Sequence, residues 1–127
     1  MSVLKFCFAA TLLVFAPSIS MAESLQNDAI REIISGRNVV LSTMGFEFPL
    51  KYAEGGSVTG DGTNAGLAKF FTPKETGQWW VDNDRLCQKF PTWYKGKTWC
   101  FKLEKVDDKQ LKWERDDGFT GKAWVSG

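Results

Sequence analysis

The sequence predicts a mainly β domain: a short N-terminal helix followed by an antiparallel meander that curls into a small barrel or half-barrel with one disulfide. Three observations predict it. Hydrophobic spacing is helical only near the start and takes a two-residue period afterwards. Short apolar runs alternate with Gly-, Pro- and Asp-rich turns, with no second helical stretch. Two cysteines, Cys87 and Cys100, lie close together late in the chain.

The elements follow in order. The opening MSVLKFCFAATLLVFAPSISMAES places Lys5 before an apolar run from Phe6 to Ala16, then Pro17, small polar residues and Ser20-Met21-Ala22. A basic start, an apolar run too short to span a bilayer, and small residues two apart are the marks of a secretory signal. Cleavage is expected after Ala22, giving a signal peptide over residues 1–22 and a single disulfide-closed β domain over residues 23–127. No lipoprotein-type Leu-x-small-Cys box surrounds Cys7, so the expected product is soluble, bacterial, and periplasmic or secreted.

The remaining 105 residues suffice for one domain with a modest core. Loss of Lys5 leaves 15 basic residues against 15 acidic ones, a balance that offers no electrostatic footprint for nucleic acid or an anionic membrane. No later apolar run approaches membrane-spanning length, so no stable membrane insertion is expected after signal removal.

Within Ser24–Gly36, SLQNDAIREIISG, the residues Leu25, Ala29, Ile30, Ile33 and Ile34 recur at helical spacing, with Ser24 as a candidate cap and Gly36 as a stop. Strand candidates then follow at Val39–Leu41, Phe46–Phe48, Leu50–Tyr52 and Ser57–Thr59, with turns expected at Gly45, Gly55-Gly56 and Gly60-Asp61-Gly62. Leu67–Phe71 and Gln78–Val81 are further candidates, separated by Pro73 and Gly77. The clearest alternation puts Trp99, Phe101 and Leu103 on one face, and Leu111 and Trp113 repeat it after Asp107-Asp108. Asp117-Gly118 signals a hairpin before Ala123-Trp124-Val125.

In an oxidising compartment Cys87 and Cys100 are expected to pair, since Cys7 leaves with the signal. A metal or redox site fits poorly: the spacing is not Cys-x-x-Cys and the chain has no His. No metal or other cofactor is expected. Asp82-x-Asp84 opens like a calcium loop, but Cys87 stands where Gly is needed and Trp93 where Glu is needed. The Gly55–Gly66 stretch lacks the Gly-Lys-Ser/Thr ending of a phosphate loop.

Absence of His also removes the usual general base and nucleophile activator, so no catalytic residue is assigned. The aromatics are more informative, because all six Trp lie between Trp79 and Trp124. Trp99, Phe101, Leu103, Leu111 and Trp113 read as core. Trp80 and Trp124 fall out of phase with their apolar neighbours, while Trp93 and Tyr94 fall inside the disulfide loop, where a side chain can be presented rigidly to a partner. These four are the candidate binding residues.

The run Gly77-Gln78-Trp79-Trp80, then Leu86-Cys87-Gln88-Lys89-Phe90, Trp93, Cys100-Phe101 and Asp117-Gly118 resembles a recurrent signature of small exported Gram-negative bacterial domains of uncharacterised function. The upstream Ser35-Gly36 and Val39 look like the start of that module, and the resemblance covers roughly Ile33 to Val125. It implies a small β domain with a Cys87–Cys100 bridge and no catalytic residues.

The functional expectation is a non-catalytic periplasmic or secreted binding module whose partner is a small amphipathic ligand or an envelope protein. An envelope structural or protein-interaction domain with a filled aromatic core is the alternative, and a small carboxylate-dependent hydrolase is a third.

Overall fold

A computed structural model describes residues 23–63 and 73–127. The expected signal segment and the strand candidate Leu67–Phe71 lie outside the described residues. Nine strands and one helix are present among those described: β1 Glu23–Ser24, α1 Asn27–Ile34, β2 Asn38–Thr43, β3 Phe46–Tyr52, β4 Ser57–Asp61, β5 Lys74–Asp82, β6 Arg85–Lys89, β7 Trp99–Lys105, β8 Gln110–Arg115 and β9 Thr120–Ser126.

Successive strands from β2 to β9 pair with one another in an up-and-down order, and every pairing is antiparallel. β9 returns to β2, placing Val125 opposite Val39, so the eight strands β2–β9 form a closed barrel rather than a half-barrel. β1 pairs with the far half of β7, beyond the stretch that β6 covers. Alternation sets the core, since inward positions are filled by residues such as Val39, Leu50, Val58, Leu103, Leu111 and Val125.

α1 closes one end of the barrel. Its eight residues would be marginal as an isolated helix. Burial of Ile30 and Ile34, on the side facing β5 and β6, holds it in place. Ser24 does not cap it, because Ser24 is taken up in β1. The cap comes from across the fold: Asn27 N donates to Asp84 Oδ1 at 3.0 Å, and Asp84 N donates to Asn27 Oδ1 at 2.7 Å. An acidic acceptor at the first helical N–H satisfies an orphan donor and suits the helix dipole. Asn83 and Asp84 form the β5–β6 turn with φ of 52° and 58°, so the Asp82-x-Asp84 segment is a hairpin turn.

Two glycines read in sequence as breaks lie within strands. Gly60 belongs to β4 and Gly77 to β5. A Cβ on Gly60 would come within 2.5 Å of the Trp93 ring, so the missing side chain is the space the indole uses. Gly121 of β9 does the same for Trp113, whose Nε1 donates to Lys122 O at 3.0 Å. Large rings thus enter a narrow barrel where a neighbouring strand gives up a side chain.

Cys87 and Cys100 form the expected disulfide, directly opposite each other on β6 and β7. Leu86 and Gln88 point inward, which puts the bridge on the outer face of the sheet, where both cysteines are still buried.

Candidate functional site: the open end of the barrel

Packing differs along the barrel axis. Toward α1, Ile34, Leu86, Leu103, Leu111 and Ala123 leave only about 10 Å³ unfilled. At the opposite end the interior opens into a cavity of about 200 Å³. Its walls are mostly apolar, built from Leu41, Phe48, Leu50, Phe90, Phe101 and Trp113. Phe46, Tyr94 and Phe119 line the same cavity and are exposed to solvent, so they form an aromatic rim.

The chain places these rings through its turns. Phe46 follows the Met44-Gly45 turn, where both residues have positive φ, and Phe119 follows Gly118 in the β8–β9 turn. Tyr94 stands in the disulfide loop on a short 3-10 turn, Trp93–Gly96, with φ of 55°. Glu75 anchors that loop. Its carboxylate accepts from Thr92 N at 2.6 Å, from Trp93 N at 3.1 Å and from the Thr92 hydroxyl. Burial pushes the Glu75 carboxyl up, but the hydrogen bonds from Thr92 and Trp93 outweigh it and hold the group below the usual carboxylate range.

Besides the hydroxyls of Thr43 and Tyr94, Arg115 and Gln88 bring polar groups to the cavity. Arg115 ends the inward series Leu111, Trp113, Arg115 on β8. Its Nε and Nη2 grip Asp117 at 2.9 and 2.7 Å, and its guanidinium lies 4.2 Å from the Trp99 ring centre and 5.0 Å from that of Phe119. Hydrogen bonding to Arg115 pulls the Asp117 carboxyl down to about 2, and the same bond raises Arg115. Deeper, Gln88 is only 5% exposed and its Oε1 accepts from the Tyr52 hydroxyl at 2.6 Å. Burial pushes the Tyr52 phenol up, so the phenol keeps its proton for this bond.

Of the four residues singled out in sequence, the structure brings two to this end. Tyr94 is 51% exposed on the rim. Trp93 lines the cavity but is only 5% exposed, a correction to its expected outward presentation. Its ring packs edge-on to Phe48 at 5.1 Å and against Phe90 at 4.8 Å, over the surface of Gly60. Trp80 and Trp124, 36% and 42% exposed, face outward on β5 and β9, which lie on opposite sides of the barrel. They join neither each other nor the cavity.

Sequence reasoning missed Phe46, Phe119, Arg115 and Gln88. The strand phase carried a signal for two of them: Arg115 continues an inward apolar series, and Gln88 sits between inward Leu86 and Phe90.

A larger depression of about 360 Å³ lies on the outside of β7, β8 and β9. Lys102 stands opposite Glu114 there, and Glu104 opposite Lys112, so charged side chains of both signs line much of it. Among the described residues no group of three or more His, Cys, Asp or Glu could hold a metal, and no helix is long and apolar enough to cross a membrane. Comparison with protein-family models, curated proteins and solved structures finds no match to this chain.

Proposed function

We propose that this chain is an exported, non-catalytic binding module that takes a small amphipathic molecule into the mouth of its barrel. The observation that carries the reading is the cavity of about 200 Å³, apolar in its walls and polar at Gln88 and Arg115. Small-molecule sites combine apolar walls with a few fixed polar groups in this way. A cavity of ~150 Å³ lined by apolar side chains is enough to hold benzene, so this one suits a molecule of one ring or a short chain.

Export is supported by the N-terminal pattern and by the disulfide, which persists in oxidising compartments. Cleavage after Ala22 would spare β1 and the buried Leu25. The non-catalytic assignment rests on the lack of His and on the absence, among the described residues, of any carboxylate lining the cavity. The envelope-protein reading requires a filled core, and the core is filled at the α1 end alone.

Native mass spectrometry of the protein recovered from host periplasm or medium tests this. The expected species begins at or within a few residues of Glu23 and carries a small-molecule adduct. A chain retaining Met1, or a complex with a second protein in place of a small-molecule adduct, would contradict it.

A further inference from the structure

Gln88 is a buried amide whose oxygen is engaged by a neighbour and whose nitrogen is not. The Tyr52 hydroxyl is fully buried and needs an acceptor, which Gln88 Oε1 supplies at 2.6 Å. That contact fixes which way the amide faces, since the reverse orientation would leave the Tyr52 proton without its acceptor. Nε2 is then the free end, and it has no partner among the described residues although Gln88 lines the cavity. The end of the amide left for an occupant is therefore its donor end, since Oε1 is turned to the Tyr52 hydroxyl.

Charge narrows the class. Arg115, the cation that lines the cavity, is already held bidentately by Asp117, so the cavity wall itself presents no uncompensated cation. A carboxylate at the inner end would lose its hydration for one neutral donor, and an ammonium there would face the N–H donors of Nε2, the amide oxygen being turned to Tyr52. We infer that the occupant is a small neutral carbonyl compound, a ketone, ester, lactone or amide with an aryl or short alkyl body, whose oxygen accepts from Gln88 Nε2. This inference rests on the binding reading above and specifies the ligand of that same cavity. The apolar body lies against Phe48, Phe90, Trp93 and Phe101, and the aromatic rim stands at the entrance.

The test compares acetophenone, ethylbenzene and benzoate as probes of the whole mature protein by solution titration. Acetophenone and ethylbenzene fill similar volumes, so their difference reads the oxygen. Acetophenone is expected to bind about fivefold more tightly than ethylbenzene, the factor that one neutral hydrogen bond supplies, and benzoate more weakly than either. Gln88→Leu should abolish the preference while ethylbenzene still binds. Because that change strips Tyr52 of its acceptor, the Tyr52→Phe/Gln88→Leu double variant, which removes both partners together, provides the same readout in a core without an orphan hydroxyl.

Equal binding of acetophenone and ethylbenzene, tightest binding of benzoate, or a preference that survives in the double variant would overturn the carbonyl assignment and leave the cavity reading standing. Failure of all three probes to bind would overturn both.

Discussion

The two ends of this barrel are built from the same strands yet are finished differently. At the α1 end aliphatic side chains meet a helix plug, Ile30 and Ile34 are fully buried, and about 10 Å³ is left over. At the other end aromatics are plentiful, but Phe46, Tyr94 and Phe119 stand at the edge of about 200 Å³ rather than filling it. Void space in a protein interior costs contact energy, and most domains keep little of it. The contrast separates a filled, stabilising end from an open end, to which the proposed binding is assigned.

The largest effects come from the rings that divide the ends. Trp113→Ala and Trp93→Ala should each cost about 3–5 kcal/mol, because both indoles are buried and each fits against a strand glycine. Chemical denaturation measures the loss. Trp93→Ala should also change probe binding, since its ring is a cavity wall, whereas Ile34→Ala should cost about 2–5 kcal/mol with binding unchanged in the folded fraction. Ile34→Ala weakening the binding of the folded protein would erase the division.

Reducing the disulfide is next. Cys87 and Cys100 are 13 residues apart, and opening so short a loop should cost about 3 kcal/mol, read as a lower thermal midpoint. The protein over residues 23–127 should show no free thiol under denaturing alkylation. The loop joins the mouth strands, so reduction should also weaken probe binding.

Acid should loosen the mouth. Glu75 and Asp117 have folded values below their unfolded ones. The stability they contribute is therefore present above the unfolded carboxylate range of about 4 and is lost as pH falls through the folded values, about 2 for Asp117. Amide exchange in the 91–96 and 116–119 turns should rise as pH drops below about 4, relative to the exchange of Ile30 and Leu103. Glu75→Gln should remove part of this dependence for the 91–96 turn.

The smallest stability effect should be at the rim. Phe46→Ala and Phe119→Ala remove exposed rings and should shift stability by no more than about 0.5 kcal/mol while weakening probe binding.

Much of the stabilising end was legible in sequence and much of the open end was not. Helical spacing of Ile30, Ile33 and Ile34 and the alternation around Phe101, Leu103, Leu111 and Trp113 are local signals, and they located α1 and much of the core. The disulfide followed from cysteine arithmetic. The cavity depends on which strand ends meet, and that is set by closure between β9 and β2, a contact between the two extremes of the domain. Trp93 turned inward because Gly60, over thirty residues earlier, leaves room for it, and Gly60 had the look of a turn residue. Trp80 and Trp124 were correctly out of phase with the core, but phase alone cannot say that β5 and β9 stand on opposite sides of a closed barrel.

The most direct test of the division between the ends is a titration of isotope-labelled mature protein with acetophenone, followed by backbone amide and glutamine side-chain NMR shifts. The account predicts saturable shifts in Thr43–Phe48, in Gln88–Tyr94 including the Gln88 amide, and in Arg115–Phe119, with α1 and Leu111 unmoved. Saturable shifts centred on α1 or on the outer face of β7–β9, or no saturable shift at the mouth, would contradict it.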